Sequence, residues 1–97
     1  MQLRFTRDAL TDLEELKAWL NPRAPAANRS ILSRLMSKIR MLRQHPDAGR
    51  RIDHSDIRVI VETRYGFAIP YRVKDDTIWI LRVYSARRFP LDYQALL

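Results

Sequence analysis

The run from Ile69 to Arg88 constrains this chain more than any other. It reads as a tight hairpin. One extended arm ends at Val73, Lys74-Asp75-Asp76 turns the chain, and a second arm covers residues 77–84. Ile78, Trp79, Ile80, Leu81, Val83 and Tyr84 are β-branched, aromatic or aliphatic, the composition of a strand buried on at least one face. Arg82 interrupts that strand, and Arg87 and Arg88 follow where it leaves the sheet. Cations at the end of a rigid strand are placed to meet a phosphate or a carboxylate; a solvated sheet end is the alternative.

Further strands precede the hairpin. Ile57, Val59 and Val61 alternate with Arg58, Ile60 and Glu62, and Tyr65-Gly66 turns into a strand over 67–73. Pro70 cannot donate to a ladder, so its position is expected at an edge or a bulge. Leu3 and Phe5 suggest a short first strand.

Two helices lie between. Thr6 is a candidate N-cap and Asp8 complements the dipole of the first turn. Ala9, Leu13, Leu16 and Leu20 then form one apolar stripe, and Asn21-Pro22 is expected to stop the helix. Pro25 opens a second helix, where its missing amide costs nothing. Ala27, Ile31, Leu35, Ile39 and Leu42 carry that helix to about Gln44, before Pro46. Its polar side has Arg29, Arg34, Lys38, Arg40 and Arg43 and no acid, whereas the first helix carries Asp8, Asp12, Glu14 and Glu15. Opposite charge on neighbouring helices suits an antiparallel hairpin. Strand, two helices and three hairpin-linked strands give an α+β domain spanning 1–97, with the helices on one face of a mostly antiparallel sheet.

Charge narrows the partners. Eighteen lysines and arginines against eleven acids leave a formal net charge of +7, a field that favours nucleic acid, ribosome or an acidic protein segment. There is no cysteine, hence no disulfide and no thiolate zinc site. Residues 1–5 lack the apolar core of a signal peptide and no run approaches a membrane span, so a cytoplasmic location is expected. His45 and His54 flank the loop after the second helix without a carboxylate or nucleophile partner in sequence, and read as helix-end and loop residues. Asp53, His54 and Asp56 lack metal-ligand spacing, and Asp75-Asp76 reads as a turn, so no metal and no cofactor is expected.

The order of motifs resembles the RelE/ParE superfamily of small bacterial toxins. It is carried by Thr6, Ala9 and Asp12-Leu13, then His45-Pro46-Asp47-Ala48-Gly49-Arg50, then the hairpin ending in Arg87-Arg88. The Pro-x-x-Gly-Arg turn and the hairpin are most similar to the ParE-like branch. The resemblance implies the toxic half of a type II toxin–antitoxin pair, forming a hetero-oligomer with a cognate antitoxin that is disordered alone and wraps the toxin. ParE-like members poison DNA gyrase, whereas RelE-like members cut messenger RNA on the ribosome.

RelE-like nucleases use basic residues on the central strands, an arginine after the last strand and a nearby tyrosine or histidine. By this resemblance Arg58 and Arg87 match two basic positions and Tyr93 the tyrosine. Ala68 stands where the middle-strand arginine is expected, and Ser85 where many relatives carry histidine. Metal-free cleavage needs proton carriers and cations for the phosphorane charge. The expectation is therefore a gyrase inhibitor acting by binding, with Arg82, Tyr84, Arg87 and Arg88 as target contacts; a ribosome-dependent endoribonuclease is the alternative, and a basic nucleic-acid-binding module the third. Trp19, Met36 and Met41 are expected to form an apolar groove on the helical hairpin for the antitoxin.

Overall fold

The Thr6 hydroxyl accepts the Ala9 amide at 3.1 Å and starts α1 (Arg7–Arg23), with Asp8 in its first turn. This computed structural model describes residues 1–85; the expected sites Arg87, Arg88 and Tyr93 lie outside them. α1 runs past the proline that was expected to stop it. The Ala24 amide still bonds the Leu20 carbonyl at 2.7 Å, so Pro22 forfeits only the one hydrogen bond it cannot donate.

Ala24 is the whole connection to α2 (Pro25–Met41), which begins on Pro25 as expected. Its last turn tightens instead of extending to Gln44: the Leu42, Arg43 and Gln44 amides bond the carbonyls three residues earlier. Ion pairing does not join the two helices among the described residues. The Asn28 amide instead donates to the Asn21 side chain across the corner.

The sheet has the order β1-β5-β4-β3-β2, with β6 on the far end of β4. Its strands are β1 (Gln2–Phe5), β2 (Arg50–Arg51), β3 (Ile57–Glu62), β4 (Phe67–Lys74), β5 (Thr77–Ile80) and β6 (Tyr84–Ser85). Among the described strands only β1 and β5 run parallel. Asp75 and Asp76 both take left-handed φ, 52° and 57°, which is the backbone of a two-residue turn matched to strand twist. Lys74 pairs with Thr77 and belongs to the ladder, not to the turn.

The second hairpin arm is not one strand over 77–84. Between the pairs Tyr71–Ile80 and Ala68–Tyr84, the later strand advances four positions while β4 advances three. That extra residue is a β-bulge at residues 81–83. Pro70 explains its place: the Pro70 carbonyl accepts the Leu81 amide at 2.9 Å, so its missing donor faces the bulge. Pro70 thus sits at a bulge in the central strand, not on an edge.

Among the described residues the helices cover one face of the sheet. Ala9, Leu20, Ile31, Leu35, Ile39 and Leu42 pack with Ile60, Phe67, Ile69, Tyr71, Ile78, Ile80 and Val83. On the opposite face Ile52, Ile57, Val59, Ala68 and Tyr84 form a smaller cluster. Neither described helix is long and apolar enough to cross a membrane.

Candidate functional site

The bulge decides what Arg82 does. Regular alternation would place Arg82 and Val83 on opposite faces; instead Val83 joins the helix-side core and Arg82 reaches α1. Its Nε meets Asp12 Oδ2 at 2.7 Å and its Nη2 meets Oδ1 at 2.9 Å, a two-pronged pair. The Val83 amide, released from the ladder, donates to the same Asp12 Oδ2 at 2.9 Å. Hydrogen bonding to Asp12 raises the Arg82 pKa above its ordinary value, against the opposing effect of burial. Arg82, expected as a target contact, is engaged by Asp12 and braces α1 against the sheet exit. Tyr84, expected beside it, is buried against Ala68 on the opposite face.

Arg58 lies on the helix side, opposite Tyr71 in the ladder. Its Nη1 donates to the Gly49 carbonyl at 2.9 Å and the Asp47 carbonyl at 3.2 Å. The Tyr71 hydroxyl completes this knot: it accepts the Gly49 amide and donates to the Pro46 carbonyl, both at 2.8 Å. Burial raises the Tyr71 pKa, with the Gly49 amide opposing. A Cβ on Gly49 would stand 2.6 Å from the Tyr71 ring, so the Pro46-x-x-Gly49-Arg50 segment needs its glycine for a close approach. Arg58 and Ala68 thus occupy opposite faces. The row across Ala68 on its own face is Val61, Ala68 and Tyr84, with no cation among them. Ser85 pairs with Phe67.

Met36 and Met41 are half-buried against the helix-side core. Met41 lines a groove of about 280 Å³ with Arg34, Ser37, Lys38 and Glu62. Trp19 does not join them. It lies near the Ala24 corner, with Arg23 over its ring at 4.8 Å, while Met41 ends α2 about 25 Å along the helix from that corner. Of the three expected antitoxin contacts, only Met41 lines this groove.

Sequence reasoning missed the acid at the base of that groove. Glu62 is only 1% exposed, yet its carboxylate accepts Arg34 Nε at 3.1 Å, the Arg64 amide at 3.0 Å and the Tyr65 amide at 2.8 Å. Burial raises its pKa, but the Tyr65 amide, Arg34 and the Arg64 amide outweigh burial and leave it below the ordinary value. The signal available in sequence was Glu62 at the end of a strand just before the Tyr65-Gly66 turn. No cluster of three or more histidines, cysteines or acids suited to a metal occurs among the described residues.

The ParE toxin family, described as ParE toxin of type II toxin–antitoxin system, parDE, matches residues 3–90. Toxin RelE3 of Caulobacter vibrioides is 34% identical over 76 residues, covering 77% of this chain and 83% of that protein. Putative toxin Y4kP of Sinorhizobium fredii is 25% identical over 89 residues, covering 92% and 93%. Among solved structures, the chromosomal ParDE system of P. aeruginosa superposes with a TM-score of 0.77 at 27% identity, covering 88% of this chain and 95% of that one. The isolated E. coli RelE toxin gives 0.63 at 19% identity over 98% of this chain and 94% of that one, a likeness of fold. The chain belongs to the ParE toxin family and is a type II toxin of the RelE/ParE superfamily.

Proposed function

We propose that this toxin acts by binding DNA gyrase, not by its own chemistry, and that a cognate antitoxin neutralises it. One observation carries the choice against messenger RNA cleavage. Arg58, the central-strand cation that the nuclease reading needs, is turned to the helix side and held by the Asp47 and Gly49 carbonyls, while the row through Ala68 is apolar. A phosphorane without cations in place lacks the electrostatic stabilisation that makes such cleavage fast. The ParE family match and the likeness to a ParDE toxin also favour this reading. Arg87 and Arg88 are then the target contacts, and Arg82 acts through the bulge it braces.

The antitoxin contact centres on the Met41 groove, where Arg34 and Lys38 flank the Met41 side chain and suit an acidic amphipathic segment. The direct test is gyrase supercoiling with purified components. Added toxin should stop supercoiling, and equimolar antitoxin should restore it; full supercoiling at saturating toxin would refute the proposal. The second reading, a ribosome-dependent endoribonuclease, draws on the 34% identity to a protein named RelE3. It would need Arg87 and Tyr93 as its working residues, without Arg58.

A further inference from the structure

Strand pairing sets an aromatic ring between two arginines on the face away from the helices. β1 places Arg4 opposite Trp79, and β4 places Arg72 opposite the same Trp79. The next row toward the hairpin turn holds Gln2, Thr77 and Lys74 on the same three strands. Alternation puts all six on one face, because their strand neighbours Leu3, Ile78 and Val73 belong to the helix-side core.

Trp79 is 37% exposed, although Ile78 and Ile80 on either side of it are fully buried. Core packing is thus completed by its neighbours and does not account for an indole here. Neither flanking arginine stacks on the ring among the described residues. Arg4 Nη2 donates to Gln2 Oε1 at 3.1 Å, and Arg72 Nε donates to Asp56 Oδ1 at 3.0 Å. Arg4 is bonded to a neutral side chain and Arg72 is paired with the exposed Asp56 carboxylate, with which a phosphate competes; both keep further N–H donors.

We propose that this row is a platform for single-stranded nucleic acid. One base stacks on Trp79, and Arg4, Arg72 and Lys74 take the phosphates to either side. Neighbouring strands lie about 5 Å apart, so the cations are within reach of the phosphates next to a stacked base. A rigid aromatic among cations supplies both requirements of a sequence-tolerant single-strand site, stacking and backbone neutralisation. A duplex keeps its base faces covered by their neighbours. An acidic peptide satisfies the arginines but offers nothing for the indole. The net charge of +7 draws a polyanion to the surface from a distance. This site is distinct from the row through Ala68 and does not depend on the gyrase reading.

The test uses the full chain and fluorescein-labelled 20-mers of deoxythymidine and of uridine, followed by anisotropy at rising salt. Both strands should bind. Trp79→Leu should weaken binding tenfold or more, in line with the stacking contribution of one aromatic, and Trp79→Phe should stay within about threefold. Arg4→Gln with Arg72→Gln should flatten the slope of log affinity against log salt by about 1.4. In a Trp19→Phe background the remaining Trp79 fluorescence should be quenched by either strand, a readout that holds even if Trp79→Leu fails to fold. No binding at low salt, no quenching, or equal affinity of a folded Trp79→Leu variant would each overturn the proposal. So would a duplex or a polyglutamate that binds as tightly and quenches Trp79 equally.

Discussion

Asp12 and Arg82, seventy positions apart, meet through two hydrogen bonds of 2.7 and 2.9 Å, and the same carboxylate holds the Val83 amide. One acid on α1 thus fixes where the last strand leaves its ladder. Asp12→Ala should cost about 2–3 kcal/mol, since it strands both a charged partner and a backbone donor. A double-mutant cycle with Arg82→Ala, read by urea denaturation, should return a coupling of about 1–3 kcal/mol. Coupling near zero, with Arg82→Ala as stable as wild type, would return Arg82 to the role of a free contact residue.

Gly49 and Tyr71 make a second long-range fit. Gly49→Ala forces a Cβ to within 2.6 Å of the Tyr71 ring and 2.8 Å of its hydroxyl. Overpacking of this kind costs about 1–3 kcal/mol. Tyr71→Phe should cost a similar amount, because it leaves the buried Gly49 amide without an acceptor. Thermal melts of both variants check this; an unchanged melting temperature in Gly49→Ala would show that the loop moves aside freely.

Much of this architecture was legible in the chain. The stripe from Ala9 to Leu20, the Thr6 cap and the Pro25 start all rest on local chemistry, and so does the β-rich hairpin. Asp75-Asp76 was readable as a turn for the same reason. β2 and β6 were not, since two residues hold no pattern. The face on which a strand residue lies is set by register, so a sequence could place Arg58 on a strand but not against the Gly49 carbonyl. The pairing of Arg82 with Asp12 was not readable, because it depends on a bulge beside Pro70 and on an acid seventy positions away. Trp79 was visible as a strand residue, but its arginine flanks appear only once β1 and β4 pair beside it.

The buried Glu62 carboxylate makes stability depend on pH. Its folded pKa lies below the ordinary value of 4.5, so its contribution is fully present above that pH and is lost as the pH falls through the folded value. Glu62→Gln should therefore be less stable than wild type at neutral pH by about 1–3 kcal/mol. The gap should narrow as the pH falls through the lowered folded pKa of Glu62. Denaturant titrations at neutral and acid pH decide it, and a gap that widens on acidification would reverse the assignment.

Antitoxin association should slow as salt rises, because screening shortens the reach of a +7 surface. Lys38→Glu, at the rim of the Met41 groove, should lower the on-rate in stopped flow, whereas Trp19→Ala should leave it nearly unchanged. An on-rate indifferent to both salt and Lys38→Glu would place the contact elsewhere.

The target is decided most directly by mapping RNA 5′ ends and DNA breaks in the same cells soon after toxin induction. Gyrase poisoning predicts DNA damage and filamentation with bulk messenger RNA intact, and loss of the damage in Arg87→Glu while the purified variant keeps its fold. Abundant codon-linked cuts in ribosome-bound messages, abolished by Arg87→Ala, would contradict it.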